Sequence, residues 1–123
     1  MARMRRHKFG VAQAEDRTAD GIVFHSKREM EHYRGFKVLL NCGKIAKLEL
    51  QVRFPLYAAK QEILGDRAVW LPEKIATYIA DFVVTENDGV KRIYDSKGMV
   101  TPLFRMKMKI FQANYPHLRV VTL

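Results

Sequence analysis

The chain has 123 residues, 48% hydrophobic and 28% charged, and its 22 Lys and Arg outweigh 13 Asp and Glu to give a formal net charge of +9. That length admits one compact core and excludes two ordinary domains, while the charge excess favours a polyanionic partner (DNA, RNA or an acidic membrane surface) over a basic protein with none. The single cysteine, Cys42, excludes an internal disulfide and a mainly thiolate zinc site, and no apolar run is long enough to span a membrane.

Residues 1–21 begin polar and basic (Arg3, Arg5, Arg6, Lys8), show no clear periodicity and read as an arm ending at Gly21. Such an arm suits phosphate contacts or a frayed, solvated terminus equally well. A single domain is expected over 22–123. Its first element is a helix over about 26–41, opened by Ser26-Lys27-Arg28-Glu29, which has the S-x-x-E form of a capping box. Tyr33, Phe36 and Leu40 supply a buried stripe, and Asn41-Cys42-Gly43 the stop, with Cys42 read as an inert core thiol. From Leu48 to Leu56 apolar residues alternate with Glu49, Gln51, Arg53 and Pro55, which predicts a strand with one apolar face. Residues 58–73 read as an irregular connection, with Gly65-Asp66 as a turn and Pro72 as a breaker.

Thr77–Thr85 and Val90–Ser96 are rich in β-branched and aromatic residues and flank Asn87-Asp88-Gly89, which predicts a hairpin. Thr101-Pro102 provides the N-cap and first residue of a second helix running to about Asn114, and Leu118–Thr122 reads as a last strand. A strand, helix and strand in that order imply a right-handed crossover and a parallel pair. The fold class is therefore α/β, with element order αβββαβ and a mixed central sheet flanked by helices.

The chemistry concentrates in Asp81 and Asp95-Ser96-Lys97. With a three-residue loop at 87–89, Glu86 faces Val90 and Asp81 lies directly opposite Asp95 on one face of the hairpin; Lys97 points the same way. A two-residue loop would send the two acids to opposite faces. Carboxylates across a ladder repel each other, and a hard cation such as Mg²⁺, bound by one or two carboxylates plus substrate phosphate, is a natural compensation. A lysine beside that cation can orient a water or stabilise charge on the phosphate. The alternative is a hairpin whose Asp95 and Lys97 are ordinary surface charges. Asp81 weighs against it, because it interrupts the apolar run Tyr78–Val84, where an unpartnered carboxylate is costly.

Glu29 continues the inward stripe of the first helix, whereas Glu31 faces solvent; the cap alone accounts for Glu29. On the second helix Phe104, Met108, Phe111 and Tyr115 form the apolar stripe, Arg105 and Lys109 the polar side, and Lys107 falls near the buried side, where it either snorkels or reaches a phosphate. The four histidines show no metal-ligand spacing.

Asp81 with Asp95-Ser96-Lys97 resembles the D-x(n)-(D/E)-x-K signature of the PD-(D/E)XK nuclease superfamily. The likeness extends to a family of small phage and prophage endonucleases within it. It is carried by Lys8-Phe9-Gly10, Asp20-Gly21-Ile22-Val23-Phe24, Ser26-Lys27-x-Glu29, Tyr33, Gly43-Lys44-Ile45, Leu48-Glu49-x-Gln51, Tyr78-Ile79-Ala80-Asp81-Phe82, Lys97-Gly98-x-x-Thr101 and Lys107-x-Lys109. The resemblance implies a restriction-endonuclease-like core and a Mg²⁺-dependent DNA endonuclease, with Mn²⁺ as a substitute. Branched DNA or Holliday junctions are one substrate class it suggests, and a nicking or packaging-associated nuclease is another. Asp81 and Asp95 would bind the metal, with Glu29 and the Ser96 carbonyl as further ligands, and Lys97 would be the catalytic lysine. Arg5, Arg6, Lys8, Lys27, Gln51, Thr101, Lys107 and Lys109 would contact DNA. The position before Ser26, usually acidic in that family, is His25 here, and Asp95 stands where the superfamily often has Glu. A cytoplasmic protein acting in a bacterial host completes the expectation; a homodimer would suit symmetric cutting, but the sequence leaves over no obvious interface stripe. A non-catalytic basic DNA-binding protein is the competing one.

Overall fold

A computed structural model describes residues 12–97 and 99–123. The expectations for Arg5, Arg6 and Lys8, and for Gly98, lie outside the described residues. Residues 14–23, assigned in the sequence mostly to the arm, carry a short 3-10 helix (Ala14–Arg17) followed by strands β1 (Thr18–Ala19) and β2 (Ile22–Val23). Asp20 and Gly21 join them, both at positive φ (51° and 75°), as a two-residue type I′ hairpin turn requires. The Tyr33 hydroxyl donates to Asp20 Oδ2 at 2.7 Å, and Ala19 packs with Phe24, Met30 and Tyr33, so this segment is part of the domain rather than of an arm.

Helix α1 (Lys27–Asn41) starts where the capping residue places it: the Ser26 hydroxyl accepts from the Glu29 N–H at 3.0 Å. It ends at Cys42 with Gly43 at φ 72°. Cys42 is exposed, not a core thiol, because it follows the last helical turn on the solvent side. Two long strands come next, β3 (Lys47–Leu64) and β4 (Arg67–Thr85). The expected irregular connection over 58–73 is instead a regular antiparallel ribbon turning at Gly65-Asp66, with Pro72 paired opposite Ala59. Proline is tolerated there because its missing N–H lies on the free side of the strand. Strand β5 (Lys91–Asp95) pairs antiparallel with β4, α2 (Pro102–Asn114) is capped by Thr101, and β6 (Val120–Thr122) pairs parallel with β5. The sheet order is β3-β4-β5-β6, and from α1 onward the element order is αβββαβ, a mixed α/β fold. Among the described residues no helix is long and apolar enough to cross a membrane.

Each face of the sheet holds a core. Phe82, with Leu48, Leu50 and Tyr94, packs against Met30, Tyr33 and Phe36 on the α1 side. Tyr78, Ala80, Val83 and Ile93, with Val52, Phe54 and Leu56, pack against Phe104, Met108 and Phe111 on the α2 side. The expectation of one apolar face on β3 therefore fails, although the alternation from Leu48 to Leu56 is unbroken. Leu48 and Leu50 face α1, while Val52, Phe54 and Leu56 face α2. On β4 the same jump separates Ala80 from Phe82. The cause is Gln51, which stands in the left-handed region at φ 51° and drops out of the ladder opposite Asp81, while Leu50 still pairs with Phe82 and Val52 with Ala80. One residue off the extended conformation turns the following side chains to the other face. Asp81 lies at this crossover.

Candidate active site

The β4–β5 hairpin has the expected three-residue register: Phe82 faces Tyr94, Val83 faces Ile93, and Glu86 bonds Val90 across Asn87-Asp88-Gly89. Extending that register by one pair places Asp81 opposite Asp95. The Ser96 N–H donates to Asp81 Oδ2 at 2.9 Å, which fixes the Asp81 carboxylate against the end of β5.

Asp95 is fully buried, at 0% exposure. Its Oδ2 accepts a 2.7 Å hydrogen bond from the Tyr78 hydroxyl; its Oδ1 has no hydrogen-bond partner, and the Lys97 ammonium stands 3.6 Å from it. Burial pushes the Asp95 carboxyl up to about 6, and the neighbouring Asp81 charge pushes the same way, while Tyr78 and Lys97 pull it down. Burial, then the bond to Asp95, also raises the Tyr78 phenol. Lys97 Nζ lies 4.9 Å from the centre of the Phe104 ring, so α2 helps hold the ammonium in place.

Glu29 enters from the first turn of α1 and is 4% exposed. The capping box is only half made: Ser26 caps the helix, but the Glu29 carboxylate turns into the site. Its Oε1 accepts from Gln51 Nε2 at 3.2 Å, and the same nitrogen donates to Asp81 Oδ1 at 3.2 Å. Glu29 Oε2 faces His25 Nδ1 at 3.5 Å. Burial and then the Asp81 charge raise the Glu29 carboxyl above the ordinary range, and His25 opposes them.

The structure thus brings Glu29, Gln51, Asp81, Asp95, Ser96 and Lys97 together. Thr101 and Lys107 stand beside them, lining with Lys97 and Phe104 a cavity of about 280 Å³. Lys107 Nζ donates to the Thr77 carbonyl at 3.2 Å, so its head is held at this cavity. Lys27 and Lys109 are exposed on their helices and do not join the cluster.

A family model described as "Protein of unknown function (DUF1064)" matches residues 6–123. The chain belongs to this family. No curated protein and no solved structure matches it.

Tyr78, read only as part of an apolar run, and two histidines of this DUF1064 chain escaped the sequence reading as site residues. His25, Glu29 and Asp81 each present a ligand atom within 4.8 Å of the others, so a histidine does join a potential metal-binding group among the described residues. The signal for His25 was its spacing, four residues before Glu29 across the helix start, a distance at which side chains meet. His32 Nδ1 lies 2.7 Å from the Ser96 hydroxyl and braces the segment between Asp95 and Lys97 from α1. Burial, then Arg28, lowers its pKa. Nothing local in the sequence links His32 to Ser96.

Proposed function

We propose that this chain is a Mg²⁺-dependent DNA endonuclease of the PD-(D/E)XK type, with Mn²⁺ able to substitute. The observation that carries the reading is the Asp95 carboxylate, wholly buried, with one oxygen tied to Tyr78 and the other left without a donor beside Lys97. That oxygen is within ion-pair reach of Lys97 yet accepts no hydrogen bond, an arrangement that leaves room for a second cation to meet it. The residues present fit a hard cation: Asp81, Asp95 and Glu29 offer carboxylates, the Ser96 carbonyl a neutral oxygen, and His25 an imidazole at the rim. Such a cation, when bound, lowers the pKa of a coordinated water and offsets charge at phosphorus.

The remaining work falls to the chain's own side chains. Lys97, fixed between Asp95 and Phe104, puts a positive charge where a phosphate oxygen or the attacking water must be oriented. Lys107 and Thr101 line the adjoining cavity, where a neighbouring phosphate of the same strand would be held. Gln51 keeps Glu29 and Asp81 from separating. The net charge of +9 draws the polyanion to the surface. Within this reading, the likeness to small phage endonucleases favours branched DNA as the substrate, and a bacterial cytoplasm as the place of action.

The test is cleavage of duplex, flap and four-way DNA with Mg²⁺, with Mn²⁺ and with chelator, alongside RNA. Cleavage with either metal, its loss in chelator, and a fall of at least about 100-fold in D81N, D95N and K97M with DNA binding retained are expected. A metal-replete protein that binds these DNAs and nicks none of them is a non-catalytic DNA-binding protein. Cleavage confined to RNA would replace the substrate class.

A further inference from the structure

The ribbon formed by the distal halves of β3 and β4 projects from the domain, and every residue from Ala58 to Ile75 except Val69 is exposed. Cross-strand partners share a face. One face therefore carries Tyr57, Ala59, Ile63, Ala68, Trp70 and Pro72, with Ile63 67% and Trp70 65% exposed. A two-stranded ribbon by itself is marginally stable in water, and a bare strand edge is a template for another strand.

The direction of its free backbone groups can be worked out. Pro72 has no N–H, so the Ala59–Pro72 pair is one whose polar groups point away from each other. Alternation then turns the N–H and C=O of Tyr57, Ala59, Gln61 and Ile63 toward the outer edge of β3. At Tyr57 these groups are already met: Asn114 Oδ1 accepts from the Tyr57 N–H at 2.6 Å and Asn114 Nδ2 donates to its carbonyl at 3.1 Å. No such cap stands at Ala59, Gln61 or Ile63 among the described residues.

We propose that this edge pairs with the same edge of a second copy of the chain, antiparallel about a twofold axis at Gln61. Only registers that set outward-pointing residues opposite one another can form bonds, and charge chooses among them. With Gln61 opposite Gln61 of the partner subunit, Lys60 faces Glu62 of the partner subunit, Glu62 faces Lys60 of the partner subunit, and Ala59 meets Ile63 of the partner subunit. Sliding two residues one way puts Lys60 against Lys60 of the partner subunit; sliding the other way puts Glu62 against Glu62 of the partner subunit. Opposite charges directly across a ladder stabilise it and like charges destabilise it. The segment Lys60-Gln61-Glu62 is thus complementary to itself when reversed, and the two four-stranded sheets join as one. This assignment stands independently of the proposed nuclease activity.

Sedimentation of the full chain across a dilution series tests it. A species of twice the 14.3 kDa chain mass is expected for the wild type. Q61P removes an outward N–H without touching a bond inside the ribbon, and should give a monomer. K60E and E62K should each weaken the dimer about tenfold, and K60E/E62K together should restore it by swapping the pair. A wild type that stays monomeric, or a double variant that associates no better than the single ones, overturns the proposal. The rescue arm separates lost pairing from lost folding.

Discussion

The Tyr78 hydroxyl holds Asp95 by one oxygen, at 2.7 Å, and leaves the other oxygen of the same carboxylate without a hydrogen-bond donor. The phenol therefore orients Asp95 and favours its charged form. Y78F keeps the ring contacts with Phe54 and Phe111 but strands Oδ2 in the core. Loss of about 1–3 kcal/mol of unfolding free energy in chelator is expected, together with a roughly 10–100-fold loss of affinity for the proposed cation. Urea unfolding and metal titration by calorimetry check the two effects separately.

The pH dependence of the metal-free protein follows from the raised carboxyls. Burial lifts Asp95 from 3.8 to about 6 in the folded state, and Glu29 moves in the same direction. The native state then holds protons more tightly than the unfolded chain. The stabilisation that this linkage provides is complete below the unfolded pKa near 4 and is lost as pH rises through about 6. Wild type in chelator should lose stability relative to D95N over that window, by on the order of 2 kcal/mol. Under the proposed function, added Mg²⁺ should reverse the trend above pH 6, because a bound cation would favour the ionised carboxylates. Urea midpoints of both proteins at a series of pH values supply the comparison; parallel curves would sink it.

Gln51 adopts a left-handed conformation that non-glycine residues avoid, and from it the side-chain amide bridges the Glu29 and Asp81 carboxylates. Q51A and Q51G both delete the amide and differ only in the backbone cost. Q51G should be the more stable by about 1 kcal/mol, a reversal of their usual order in regular strands. Thermal unfolding of the two in chelator reads this directly.

Lys107 is anchored on the Thr77 carbonyl at the edge of the cavity rather than on an acid of the site. Under the proposed function K107M should weaken DNA binding several-fold irrespective of sequence and lower the slope of binding against salt by about one. Cleavage of the bound complex should change little. Binding isotherms at several salt concentrations and single-turnover cleavage divide the two quantities. A large loss in the cleavage step with unchanged binding would move Lys107 into the reacting centre.

Much of this arrangement was legible because it depends on local chemistry. Asn87-Asp88-Gly89 sets the hairpin register, and with it the opposition of Asp81 and Asp95; Ser26 and Thr101-Pro102 mark both helix starts. The distal ribbon was not legible, because its strands lack a buried face to impose a pattern and Pro72 reads as a break when its neighbours in space are unknown. The Asp20-Gly21 turn was available as a hairpin signal, but each of its strands has only two residues. The face switch at Gln51 is invisible in an alternation that runs straight through it. His25 was available through its spacing of four residues from Glu29, whereas His32 reaches Ser96 only through the tertiary placement of α1, which no spacing rule records.

That switch has a thermodynamic consequence. Glu29 belongs to the half of the molecule built on α1, Asp95 and Lys97 are gripped by Tyr78 and Phe104 of the half built on α2, and Asp81 sits at the seam. A cation shared by these acids would act as a rivet between the two cores, adding to the strands and to the His32–Ser96 contact that already join them. Its binding energy would then raise the midpoint of unfolding and tie the opening of one core to the opening of the other.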